Sequence, residues 1–209
     1  MIQQANAQCD GRYHDFIFSN VTTTTVTYST SNSTTLLMDI YQPVGDTASM
    51  RPVIIMAHGG SFTGGDRTND NVCTTICTNF AKRGYVCASI DYRLGNLLSM
   101  LDSTYAITTV MKALSDGKSA IRFFRKDAAT TNTYKIDPNK IFAGGNSAGA
   151  VLYDHCAFID SLNEVPVYLR AIINQNGGFE GNSGNDGYSS KMTAVINLAG
   201  GLNVPEFVG

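Results

Sequence analysis

The sequence has no apolar run long enough to cross a membrane. Its longest strand-like apolar run is Val53-Ile54-Ile55-Met56-Ala57, well short of the roughly 18 residues a spanning helix needs, so no membrane span is expected. Strong charge of either sign is also missing. The net charge is −2, charged residues make up 15% of the 209, and the lysines and arginines are scattered without a basic stripe, so nucleic acid is not an expected partner. The five cysteines, Cys9, Cys73, Cys77, Cys87 and Cys156, show neither C-x-x-C nor paired metal-ligand spacing, and no His/Cys/carboxylate cluster has the spacing of a metal site. No G-x-G-x-x-G follows a strand, and the glycine-rich stretches at 59–65 and 144–149 lack the lysine of a phosphate loop. No metal and no cofactor are expected.

What is present fits one ordinary globular domain, with 43% hydrophobic residues. Residues 16–18 and 21–28 read as a polar, Thr-rich edge hairpin region, and residues 35–41 as a strand ended by Pro43. Residues 51–58 form a buried-type strand, residues 71–83 a helix closed by Gly84, and residues 85–92 the next strand. On that helix Cys73 and Cys77 share a face with Phe80 and Ala81 and read as buried thiols. Ile107, Val110, Met111, Leu114, Ile121 and Phe124 recur at helical spacing and predict a long helical stretch that Asp137-Pro138 ends. A strand at Ile141, a turn at Ser147 and a further helix follow. The Gly/Asn/Ser-rich stretch at 174–190 predicts a solvated connector, and residues 194–198 a last strand. This alternation predicts an α/β fold, a mostly parallel sheet with helices on both faces.

Two stretches carry chemistry. Gly145-Asn146-Ser147-Ala148-Gly149 is a G-x-S-x-G pentapeptide between a short apolar strand and a helix. A serine on such a sharp turn is held in a strained backbone with its hydroxyl clear of the sheet, and the flanking glycines let strand and helix approach closely. His58-Gly59-Gly60-Ser61-Phe62 follows the strand at 51–58. Acyl transfer needs donors aimed at a developing oxyanion, and the N–H groups of Gly59 and Gly60 can supply them, joined by Ala148 at the helix N-terminus. Loops at the C-terminal ends of parallel strands converge on one crevice, which brings the two stretches together.

With both in place the chain resembles the α/β-hydrolase fold carboxylesterase/lipase family, in its N-terminal part. The matching pieces are Met38-Asp39-Ile40-Tyr41-Gln42-Pro43, Arg51-Pro52-Val53-Ile54, the His58 loop, Ala81-Lys82-Arg83-Gly84-Tyr85-Val86, Asp91-Tyr92-Arg93-Leu94, and Ile136-Asp137-Pro138-Asn139-Lys140-Ile141 leading into the Ser147 turn. The resemblance implies a serine esterase acting on a small-molecule ester, with Ser147 as nucleophile and Gly59, Gly60 and Ala148 as oxyanion donors. It also implies structural roles for Asp91 and Arg93, and a loop-shaping role for His58.

The departures from the family are equally informative. A serine hydroxyl needs a base to take its proton, and the base needs an orienting acid; in this fold they follow in the order Ser, Asp or Glu, His. After Ser147 the sequence has His155 alone, about 12 Å along the same helix at about 1.5 Å per residue. His14 precedes the sheet, so no histidine suits the role. Asp154, Asp160, Glu164, Glu180, Asp186 and Glu206 lack the context of a triad acid. The expectation is therefore a domain over residues 9–209 that is C-terminally incomplete, truncated before the last strands and inactive alone. Its uncovered sheet edge would favour self-association. Ala5-Asn6-Ala7 has the form of a signal-peptidase site without a basic or apolar region before it. It reads as a chance tripeptide or as a signal-peptide remnant over residues 1–8, and the remnant, with the family's habit, would make the protein secreted or periplasmic. Two alternatives stand beside the esterase: a non-catalytic α/β-hydrolase-like binding or scaffold protein, and a serine peptidase on the same fold.

Overall fold

The computed structural model describes residues 11–31, 33–159 and 165–202; the expected signal remnant and Cys9 lie outside them. A six-stranded sheet runs in the order β1-β2-β4-β3-β5-β6. The antiparallel hairpin of β1 (Val21–Ser31) and β2 (Thr34–Pro43) stands at one edge, and β2 pairs antiparallel with β4 (Val86–Ile90). From there β4, β3 (Arg51–Ala57), β5 (Ile136–Asn146) and β6 (Ala194–Leu198) are parallel neighbours. The expected α/β fold is present, and the sheet is parallel at its centre.

Strand alternation divides the core. Val53, Ile55 and Ala57 of β3, with Val86, Ala88 and Ile90 of β4, face α2 (Ser103–Ala129) and α3 (Ala148–Phe158), where Ile121, Phe124, Leu152 and Tyr153 complete the larger cluster. Ile54, Met56 and Cys87 point the other way, onto Cys73, Cys77 and Ala81 of α1 (Asn71–Ala81). Each fully buried aliphatic side chain contributes about 1.5–3 kcal/mol, so both faces of the sheet contribute to holding it. Cys73, Cys77, Cys87 and Cys156 are free thiols.

The structure differs from the sequence expectation in several places. The hairpin starts at Val21, and residues 16–18 are not strand. The long helix ends at Ala129, and Asp137-Pro138 belongs to β5. The β3–β5 register jumps from Arg51↔Ile136 to Val53↔Ile141, and this bulge accommodates a proline that cannot donate to the ladder. A helix not foreseen, α4 (Val167–Gln175), buries only Ile173 and leaves Val167 and Tyr168 exposed. The stretch at 174–190 is not a solvated connector. Ser183 is fully buried and accepts at its carbonyl from Ser29 and Ser119. Its hydroxyl sits between Asp116 Oδ1 at 2.5 Å and Ser115 Oγ at 2.7 Å, while Arg93 Nε donates to Asp116 Oδ2 at 2.9 Å.

β6 lies at the open edge of the sheet and is only partly buried. No helix among the described residues is long and apolar enough to cross a membrane.

Candidate active site

Parallel pairing places the ends of β3 and β5 side by side, Ala57 opposite Gly145. The His58 loop leaves the first and the Ser147 turn leaves the second. Ser147 joins β5 to α3 at φ 49°, ψ −113°, a conformation that L residues adopt only when their surroundings over-determine it. Those surroundings are specific. A Cβ on Gly145 would stand 2.4 Å from Ala57 O, and one on Gly149 2.0 Å from the same atom, so only glycine lets the turn press against β3. Ser147 N–H donates to Leu198 O at 2.8 Å, which ties the turn to the end of β6. The Ser147 side chain is exposed, and its hydroxyl has no hydrogen-bond partner among the described residues.

The facing loop is shaped by His58 and Gly60. His58 is buried, its ring stacks on Tyr92 at 4.3 Å, its Nδ1–H donates to Gly59 O at 2.6 Å, and its carbonyl accepts from Tyr92 Oη at 2.9 Å. Gly60 has φ +117°, and a Cβ there would fall 2.1 Å from Gly64 O. The loop comes close to the serine: a Cβ on Gly59 would lie 3.5 Å from Ser147 Cβ. The three expected donors separate at this point. Gly59 N–H is already committed, donating to Asp70 Oδ2 at 2.9 Å, so it is corrected to an anchor of the loop. The N–H groups of Gly60 and Ala148 have no acceptor among the described residues. Ala148 opens α3, whose helix dipole favours negative charge at that end.

Asp70 is the residue that sequence reasoning missed. It caps α1, with Oδ1 accepting from Val72 N–H at 3.0 Å and Cys73 N–H at 3.1 Å. Burial pushes its carboxyl up, but the hydrogen bonds from Gly59, Asn146, Cys73 and Val72 outweigh this and hold it below its ordinary value. An Asp just before a helix is a signal for a cap and could have found it; nothing in the sequence points to its bonds with Gly59 and Asn146. The neighbouring Cys73 thiol is pushed up to about 12 by burial and then by the Asp70 charge, which makes it an inert thiol. Asp70, with His58, Gly59, Gly60, Asn146 and Ser147, lines an open crevice of about 390 Å3.

None of the three histidines is hydrogen-bonded to Ser147. His14 is exposed beside Asp15, His58 is occupied by Gly59 O, and His155 Nδ1 reaches Val151 O at 2.7 Å one turn back along α3. Burial pushes the His155 imidazole below its ordinary value. Asp154 accepts from Asn197 Nδ2 at 2.6 Å, and Glu180 from Arg122 and Ser190. Asp160, Glu164 and Glu206 lie outside the described residues. Asp91 pairs with Arg67 at 2.9 Å, and Arg93 with Asp116 at 2.8 Å, which are structural uses. Among the described residues no group of three His, Cys, Asp or Glu could hold a metal.

The BD-FAE family model matches residues 38–208. Among solved structures, the apo form of esterase 2 from Thermogutta terrifontis is 26% identical with a TM-score of 0.63, and the match covers 84% of this chain and 54% of that one. Its butyrate-bound form is 26% identical with a TM-score of 0.62, covering 85% and 53%. The form phosphorylated by paraoxon, at 24% identity and a TM-score of 0.64, covers 85% and 57%. The chain thus spans a little over half the length of these structures. No curated protein matches it.

Proposed function

Because the chain belongs to the BD-FAE family, an esterase family of α/β-hydrolase fold, we propose that it is a serine carboxylic-ester hydrolase whose nucleophile is Ser147. The observation that carries this reading is the strained Ser147 turn at the start of α3, which shares one crevice with Gly60, while the N–H groups of Gly60 and Ala148 have no acceptor among the described residues. Ser147 Oγ attacks the ester carbonyl carbon, the carbonyl oxygen becomes an oxyanion against the two N–H groups, and the alcohol leaves as the acyl-enzyme forms. Butyrate and propionate are named as bound in Thermogutta terrifontis esterase structures; short acyl groups are the corresponding substrate reading for this crevice.

The step the described residues do not supply is removal of the Ser147 proton. On this reading the 209-residue chain turns over esters negligibly by itself, and a base from solution restores part of its reactivity. The test is phosphonylation of Ser147 by a p-nitrophenyl alkylphosphonate with and without imidazole. Imidazole takes the hydroxyl proton, the Oγ–P bond forms and p-nitrophenolate leaves. The expected result is labelling at Ser147 that rises at least about tenfold with imidazole and vanishes in Ser147→Ala. No labelling of Ser147 at any imidazole concentration overturns the reading and favours a non-catalytic binding or scaffold role.

A further inference from the structure

Four donors from separate parts of the chain converge on the Asp70 carboxylate. Oδ1 takes Val72 N–H and Cys73 N–H at 3.0 and 3.1 Å; Oδ2 takes Gly59 N–H at 2.9 Å and Asn146 Nδ2 at 3.0 Å. Capping α1 requires only the first pair, and a serine would serve that purpose about as well. The second pair is what a cap does not explain. Gly59 belongs to the loop after β3, and Asn146 is the residue before Ser147 at the end of β5. Oδ2 therefore bridges the two segments whose separation sets the distance from Ser147 to Gly60 N–H.

We infer that Asp70 is a positioning residue: anchored on the N-terminus of α1, its Oδ2 clamps the Gly59-Gly60 loop to the Asn146-Ser147 turn and so brings the Gly60 and Ala148 N–H groups onto one oxyanion. The inference rests on the reading of Ser147 as nucleophile. A clamp is needed because the loop contains Gly59, Gly60, Gly64 and Gly65, and glycine-rich backbone has more freedom to lose than any other. Hydrogen bonds to an ionised carboxylate are shorter and stronger than neutral ones, which suits them to holding such a loop. Asp70 does not touch the reacting atoms; it acts through the donors it aims, and misplacement by about 1 Å lowers a rate by about 100-fold.

Asp70→Ser separates the clamp from the cap. It keeps a side-chain oxygen for Val72 and Cys73 but is too short to reach Gly59 and Asn146. In the full chain, amide exchange at Val72 and Cys73 should stay protected, Gly59 exchange should quicken at least about tenfold, and imidazole-dependent labelling of Ser147 should slow by about 10- to 100-fold. Labelling at the parent rate in this variant, with α1 still protected, overturns the clamp and leaves the nucleophile reading standing. A parent protein that imidazole does not bring to react overturns both. Where Asp70→Ser fails to fold, Asn146→Ala removes only the turn's half of the bridge; labelling at least about threefold slower is expected, and an unchanged rate overturns the inference.

Discussion

Two glycine-rich loops of this protein use the same composition in opposite ways. The loop at 58–65 lines an open crevice, and Gly60 N–H has no acceptor among the described residues. The loop at 176–190 turns inward and offers acceptors. Phe179 O takes Lys118 Nζ at 2.5 Å, Glu180 O takes Arg122 at 2.7 Å, and Gly184 O takes Arg122 Nε at 3.1 Å. Glycine, serine and asparagine make a backbone accessible; what stands opposite decides whether it serves a ligand or a core. Opposite the second loop stands a polar face of α2, with Ser115, Asp116, Lys118, Ser119 and Arg122 all buried.

If that division is right, substitutions in the second loop's surroundings change stability, and those in the first change reactivity. The largest expected effect is Asp116→Ala. Asp116 is fully buried beside Arg93, and removing it leaves a nearly buried guanidinium short of its partner, at about 3–5 kcal/mol in a denaturant titration. Ser183→Ala should follow at about 1–3 kcal/mol, because Arg93, Ser115 and Asp116 each lose a partner. In both variants, Ser147 in the folded fraction should label at the parent rate; slower labelling would mean the inner loop also shapes the crevice. Gly60→Ala should also cost stability, about 1–3 kcal/mol from strain at positive φ in addition to the clash of its Cβ with Gly64 O, and reduce imidazole-dependent labelling at least about tenfold. Labelling unaffected by that change would remove Gly60 from the oxyanion site. The smallest effect is on pH dependence. The depressed carboxyl of Asp70 contributes stability that is present above the unfolded value of about 3.9 and is lost as pH falls through its lower folded value. Asp70→Ser should therefore flatten the acid limb of the stability curve below about pH 4, whereas coincident acid limbs would show that its hydrogen bonds are not formed in solution.

Much of the fold was legible because it is written locally. β3 and β4 announce themselves as short apolar runs, and Gly145, Ser147 and Gly149 stand within one pentapeptide, although the contact that requires the two glycines, with the backbone at Ala57, is distant in sequence. The Ser147 turn could be read from five residues for the same reason. Asp70 could not, since its decisive partners stand at 59 and 146, far away along the chain. α4 escaped because its apolar pattern, Val167, Leu169, Ile172 and Ile173, runs over only nine residues, too short for periodicity to tell a helix from a strand or a loop. The polar stripe on α2 reads as a solvated face until the loop that covers it is seen, and a loop of Gly, Ser and Asn gives no hint that it belongs inside.

The inner loop also sets a timetable. Ser183 O meets Ser29 Oγ across 154 residues of chain, and Asn185 Nδ2 meets Tyr28 O at 2.7 Å across 157. Contacts of such separation form late, because the intervening loop must first be closed. Until then Tyr28 O and Ser29 Oγ of the β1–β2 hairpin stand without these partners, while Tyr28 Oη is held by Asp91 O. Closing the first strand of the sheet thus waits on a loop more than 150 residues away.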